Sequence, residues 1–127
     1  MDSYPLSGMV QKMNNVIESK SFRFSVRIVK LVRYIRKNHK EYTLTGQLIR
    51  AGTSIGANIV EAEQAQSRAD FIAKVNIALK EAVETRYWLR LLHATDYLTD
   101  REFDSMLLDC EELIKMLISI IKTSRSE

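Results

Sequence analysis

The chain of 127 residues has few residues that break helices or form cross-links: one cysteine, one proline and four glycines. A lone Cys110 has no partner for an internal disulfide, which is typical of reducing compartments. Because Pro5 is the only proline, residues 6–127 are free of the strongest helix breaker. No stretch approaches the roughly 18 uninterrupted apolar residues of a membrane span, and the first residues lack the pattern of a secretion signal. We therefore predict a cytoplasmic protein with no membrane association.

The sequence also lacks the residue patterns of known catalytic and metal sites. Di-iron bundles need a Glu three residues before an inward-facing His, and neither His39 nor His93 has one. One cysteine and two separated histidines do not form a zinc cluster, and no glycine-rich loop is present to bind phosphates. Cys110 lies at helical spacing between Leu107 and Leu113, which predicts a core residue rather than a nucleophile. We therefore predict no enzyme activity, no catalytic residue, no metal and no cofactor.

Positive and negative charges are unevenly divided along the chain, although the net charge is only +3. Residues 1–50 hold ten Lys and Arg against three acids, a net charge of +7. Residues 51–127 hold nine Lys and Arg against thirteen acids, a net charge of −4. This division favours an anionic partner, or pairing of the basic segment with the acidic one within or between subunits.

Apolar residues recur at helical spacing in four segments. The predicted helices run from about Ile17 to Asn38, from Leu44 to Ala65, from Ser67 and from Thr99. In the first helix, Phe22 is expected to widen the apolar stripe that contains Phe24. The last two helices begin with the capping-box pattern, in which an acidic residue follows the cap by three positions. Connections of a few residues between long helices predict an all-α, up-down-up-down antiparallel four-helix bundle. We expect a single domain over residues 1–127, with residues 1–16 loosely ordered.

The second predicted helix contains three of the four glycines, at positions 46, 52 and 56. An interior glycine costs about 0.5–1 kcal/mol relative to alanine in a helix. Their presence among apolar residues at helical spacing therefore predicts that another helix packs very closely here.

The third predicted helix is apolar on more than one face. Beyond its core residues it carries Ile72, Ile77, Leu79, Val83, Tyr87, Trp88 and Leu91. A bundle helix needs only about three core positions in seven, so this excess predicts a homo-oligomer in which a second copy covers it. The alternative is a single overfilled core with Trp88 half exposed.

The first predicted helix carries a basic face that is the best candidate for a functional surface. Its members are Arg23, Arg27, Lys30, Arg33 and Lys37, with Tyr34 among them. Several long cations along a line suit the phosphates of RNA or DNA, especially if an oligomer repeats them. No RNA-recognition signature accompanies them, so sequence preference is not expected. The alternative is an ordinary solvated helix face.

A polar face on the second predicted helix is the other candidate. Arg50, Ser54, Asn58 and Glu61 follow helical spacing, and Glu81 or Glu84 of the third helix is a candidate partner. They predict either a polar pocket at a subunit junction or a buried network that fixes the register between helices.

The chain resembles a known family, the four-helix-bundle 23S rRNA intervening-sequence proteins, most clearly in the second predicted helix. The similar residues are Gln47 to Ala51 and Ser54 to Ala62, followed by Ser67 and Phe71, with further similarity at Lys20 to Phe22, Glu84, Leu89 and Tyr97–Leu98. Members usually read S-I-P-A-N-I-A-E-G, where this chain has Gly56, Val60 and Ala62 in place of Pro, Ala and Gly. Gly56 permits close packing or a kink but does not impose one as proline would.

The resemblance implies a small cytoplasmic bundle that assembles into a ring of five. The chain is also similar to the accessory protein of diversity-generating retroelements, a basic pentameric bundle that binds nucleic acid and a reverse transcriptase. Two hypotheses follow: a ring that binds RNA or DNA through the first helix, or an oligomeric scaffold that binds protein partners and uses its cations in salt bridges between subunits.

Overall fold

The computed structural model describes residues 4–127, and within them it contains four α-helices and no strand. The helices are α1 (Gly8–His39), α2 (Thr43–Ala62), α3 (Arg68–Ala94) and α4 (Asp100–Ser126). Each helix packs on its neighbour in the chain, and α4 closes the bundle by packing on α1. Because the connections are short, consecutive helices are antiparallel. The predicted all-α four-helix bundle is confirmed.

The first helix begins earlier than the sequence predicted. It starts at Gly8 rather than near Ile17, because the Ser7 hydroxyl caps it by accepting a hydrogen bond from the Val10 N–H at 3.2 Å. Val10 and Asn14 are buried on the same face as Ile17, so the core continues into this turn. The prediction that residues 1–16 are loosely ordered is therefore wrong for residues 8–16, and residues 1–3 lie outside the described part of the chain.

A tight connection with its own hydrogen bonds joins α1 to α2. Lys40 ends α1 with a left-handed backbone (φ 56°). The Glu41 carboxylate then accepts hydrogen bonds from the N–H groups of Leu44 (2.7 Å) and Thr45 (2.9 Å). Partial burial acts to raise the pKa of Glu41, but these bonds outweigh it and the pKa lies below its ordinary value. The carboxylate thus serves the role of a cap for the start of α2.

The starts of α3 and α4 match the predicted caps, with one difference. Thr99 accepts from the Glu102 N–H and the Glu102 carboxylate accepts from the Thr99 N–H, which is a complete capping box. Ser67 accepts from the Asp70 N–H, but the Asp70 carboxylate accepts from the N–H of Gln66, one residue before the cap. At the start of α3 the returning hydrogen bond therefore reaches the residue before the cap instead of the cap itself.

Close packing of α1 on α2 explains two of the glycines. A Cβ added to Gly52 would lie 2.8 Å from the Ile28 side chain, and one added to Gly56 would lie 3.3 Å from the Ser21 hydroxyl. The predicted close approach is confirmed at both positions. Gly46 differs, because its nearest neighbour would be the end of the Arg36 side chain at 3.9 Å.

Candidate nucleic-acid interface

Four of the five predicted cations form a row on the exposed face of α1. The cation row consists of Arg23, Lys30, Arg33 and Lys37. A rise of 1.5 Å per residue separates its first and last α-carbons by about 21 Å. Among residues 4–127 none of the four has a carboxylate oxygen within 4.0 Å of its charged nitrogens. Their charges are thus available to an external anion.

Arg27, the fifth predicted cation, lies elsewhere on the helix. Its guanidinium contacts the Asp109 carboxylate of α4 at 2.5 Å and donates a second hydrogen bond to the Ser105 hydroxyl at 2.7 Å. Arg27 therefore belongs to the contact between α1 and α4, and its expected place on the free basic face is corrected. Lys20 joins the same contact through Glu112 at 2.5 Å. These two ion pairs join cations of the basic first half to carboxylates of the acidic second half within one chain.

Phe22 lies on the surface of α1, contrary to the prediction from the sequence. Its position near the apolar stripe predicted a side chain that widens the core, yet 69% of it is exposed. The reason is helical geometry: Phe22 lies two residues, or about 200°, from the buried Phe24. Tyr34, predicted among the cations, is 50% exposed. Two aromatic side chains therefore stand beside the cation row on the surface of α1.

An open groove lies between α1 and α2 next to Phe22. It has a volume of about 600 Å³, and Phe22 and Val60 form apolar parts of its lining. Gly56 and Ala57 supply a stretch of α2 with little side-chain bulk. Ser19 and Thr53 add hydroxyl groups, and the charged residues of the lining are Glu18 and Arg23, which also belongs to the cation row. The groove therefore joins an apolar surface directly to the positive end of the row.

The polar face predicted on α2 comes together only in part. Arg50 contacts Glu81 at 3.2 Å and also pairs with Glu84, whose carboxylate accepts a hydrogen bond from the Trp88 indole N–H at 3.2 Å. The cluster is partly exposed, with 49% of the Arg50 side chain accessible, so it is not a buried network. It links α2 to α3 at the surface.

The other predicted members of that face do not join the cluster. Ser54 donates to the Arg50 carbonyl at 2.6 Å, and Asn58 donates to the Ser54 carbonyl at 2.8 Å. Both therefore bond back to their own helix, a local alternative open to short polar side chains. Glu61 is exposed and has no side-chain hydrogen bond among residues 4–127. The predicted set is thus corrected: of the α2 face only Arg50 joins the cluster, and both candidate partners, Glu81 and Glu84, pair with it.

Comparison with known proteins gives the family. The family model described as "23S rRNA-intervening sequence protein" matches residues 13–119. The chain belongs to this family. A similar solved structure, a protein of unknown function from the S23 ribosomal protein family of Bacteroides thetaiotaomicron, has a TM-score of 0.85 and 56% sequence identity, over 87% of this chain and 98% of that one. No curated protein matches the chain.

The apolar side chains that α3 carries beyond its core positions are partly covered within this chain. Ile72, Leu79 and Trp88 are half-buried against the core. Ile77, Val83 and Tyr87 remain exposed. The single chain therefore leaves some apolar surface of α3 in contact with solvent.

Two carboxyl groups that the sequence did not indicate as a pair, Glu18 of α1 and Glu63 just after the end of α2, are neighbours. Burial, together with the neighbouring Glu18 carboxyl, raises the pKa of Glu63 to about 7, and Glu63 Oε1 has no hydrogen-bond partner among residues 4–127. One turn before Glu18, Asn14 is fully buried and neither of its amide atoms has a partner. Asn14 lies in the segment expected to be loosely ordered, while Glu18 and Glu63 lie in the first and second predicted helices, and nothing in their spacing indicates that they meet.

The single cysteine lies in the core of the bundle. Cys110 is fully buried, its thiol lies 3.3 Å from the Ala82 carbonyl oxygen, and burial raises the pKa of the thiol to about 12. Its prediction as a core residue is confirmed. Within residues 4–127 no three His, Cys, Asp or Glu side chains are arranged to hold a metal ion. In the same part of the chain, no helix is long and apolar enough to cross a membrane.

Proposed function

We propose that this protein is a cytoplasmic, non-enzymatic homo-oligomer that binds RNA or DNA without sequence preference through the cation row of α1. The observation that carries the proposal is the pairing pattern of α1. Lys20 and Arg27 are held by α4 carboxylates, whereas Arg23, Lys30, Arg33 and Lys37 are exposed and form no ion pair within 4.0 Å among residues 4–127.

Assembly is part of the proposal because four cations are too few for firm binding. Each phosphate neutralised by a cation releases condensed counterions, and affinity grows with the number of such contacts. The resemblance to the family implies five copies, which would multiply the row fivefold. Exposed Ile77, Val83 and Tyr87 on α3 supply a surface that a second copy can cover.

RNA is the first nucleic acid to test, because the family description refers to a 23S rRNA-intervening sequence. Fluorescence anisotropy with a labelled RNA across a salt series measures the binding. We expect the logarithm of the affinity to fall linearly with the logarithm of the salt concentration, with a slope of about 0.7–0.9 per phosphate contacted.

The decisive variant reverses three members of the row, Lys30→Glu, Arg33→Glu and Lys37→Glu. We expect it to lower the RNA affinity by more than about a hundredfold at low salt. A matched control with the same charge change on α4 is Arg101→Glu, Lys115→Glu and Lys122→Glu, which should retain most of the affinity. Equal losses of RNA affinity in both variants would show that only the net charge matters and would contradict the proposed interface on α1.

The second candidate function is an oligomeric scaffold that binds protein partners. The exposed apolar residues of α3 favour it, because they suit a protein partner as well as a second copy. Absence of binding by the wild-type oligomer at low salt would favour this reading. In that case the row reversals should lower the mass measured by light scattering, because the cations would serve in contacts between subunits.

A further inference from the structure

Phosphate binding by the cation row does not account for the apolar surface of the groove between α1 and α2. It presents a 69% exposed Phe22 ring and the side chain of Val60 to solvent. Exposed apolar surface in a concave site is a mark of ligand binding rather than of ordinary helix surface. The volume of about 600 Å³ lies within the range of roughly 300–1,000 Å³ that is common for small-molecule sites. The groove is therefore large enough to hold a ring system of the size of a nucleobase.

Charge indicates which ligand the groove suits. Glu18 and Arg23 are the charged residues that line the groove, and Arg23 is also the first member of the cation row, which continues along α1 through Lys30, Arg33 and Lys37. An aromatic platform beside a line of cations is the arrangement by which proteins bind single-stranded nucleic acids, with bases stacked on the ring and phosphates on the cations. Ser19 and Thr53 add hydroxyl groups that can bond to the polar edge of a base.

We propose that the groove beside Phe22 receives an unpaired base of a single-stranded nucleic acid whose phosphates lie along the cation row. The inference rests on the proposed function and specifies its substrate class. A base inside a duplex is stacked between its neighbours and is not available to a side chain, so a duplex can use the cation row but not the groove.

The test compares two labelled oligonucleotides of equal length and charge, one of thymidines and one with abasic sites throughout. Wild-type protein should bind the thymidine strand about tenfold more tightly than the abasic strand. Phe22→Ala should lose that difference and bind both strands as wild type binds the abasic one. Ala57→Leu, which fills the exposed α2 side of the groove, should do the same. The control Leu108→Ala removes an exposed apolar side chain on α4 and should behave as wild type.

Each result has a distinct meaning. Equal binding of both strands by wild type would overturn the base site while leaving the phosphate interface intact. Preference for the thymidine strand that survives both groove variants would overturn it as well. Failure of wild type to bind either strand would remove the proposed function, and the base site with it. A lower mass of Phe22→Ala in light scattering would assign the groove to a second copy of the chain and would also overturn the proposal.

Discussion

The two sides of α1 are held to the bundle in different ways. Toward α2 the contact is close and rests on missing side chains, because Gly52 leaves room for Ile28. Toward α4 the contact includes ion pairs at half-exposed positions, such as Arg27 with Asp109. The first kind tolerates almost no added volume, while the second depends on charge and on solvent. A helix face that is free to bind a ligand is what remains between the two.

The largest effect is expected from filling the α1–α2 contact. Gly52→Leu should lower the free energy of unfolding by about 1–3 kcal/mol or more, because even its Cβ would collide with Ile28. Thermal melts of Gly46→Ala provide the control, since that position has space and should gain up to about 1 kcal/mol. An unchanged melting temperature for Gly52→Leu would contradict the close contact.

The next effect concerns pH on the same side of α1. Because the pKa of Glu63 is raised to about 7, the folded state binds its proton more tightly than the unfolded chain does. The free energy of unfolding should therefore fall as the pH rises from about 4.5 through about 7. Glu63→Gln should remove this fall and be more stable than wild type at pH 8 by about 1 kcal/mol, a figure reduced for solvent screening.

Urea denaturation at pH 4 and at pH 8 measures the difference. The two proteins should be similar at pH 4, where the wild-type carboxyl is protonated in both states. The exposed Glu61→Gln serves as the control and should show no comparable gain. A Glu63→Gln variant whose stability follows wild type at both pH values would show that the pKa of Glu63 is not raised in the folded protein.

The smallest effect separates the α1–α4 contact from the cation row. Arg27→Glu places a carboxylate beside Asp109 and should cost about 1 kcal/mol or less, because the pair is half exposed. Lys30→Glu has no such neighbour and should change stability by less than about 0.5 kcal/mol. Melts in low and high salt test this, because the cost of Arg27→Glu should shrink as salt rises. Equal costs for the two variants would mean that the ion pair does not form.

Apolar spacing alone predicted the four helices, since the period of buried side chains is set by the helix itself. The cost of interior glycines predicted the close α1–α2 contact, and the capping-box pattern predicted the Thr99 cap. Spacing failed at Phe22, Ser54 and Asn58 for different reasons. Phe22 is about 200° away from Phe24, a distinction lost when apolar residues are merely grouped. Ser54 and Asn58 bond to carbonyls of their own helix, which spacing cannot distinguish from a contact between helices.

The candidate site was predicted in the same uneven way. Four of the five cations are exposed because that face of α1 is opposite the core. Arg27 differs because it lies toward the neighbouring helix, and the identity of that neighbour is a property of topology. The groove beside Phe22 could not be predicted, since it is formed by the small residues of one helix against the exposed side chain of another.

The order of helix contacts has a consequence for how the chain folds. Three of the four interfaces join helices that follow one another through short connections, and such local contacts form quickly. The α1–α4 interface is the smallest, joins the two ends of the chain and contains the ion pairs Lys20–Glu112 and Arg27–Asp109. It should therefore be the last to close and the first to open in the native protein. Amide hydrogen exchange in α4 should then quicken as salt is added, ahead of exchange in α2 and α3.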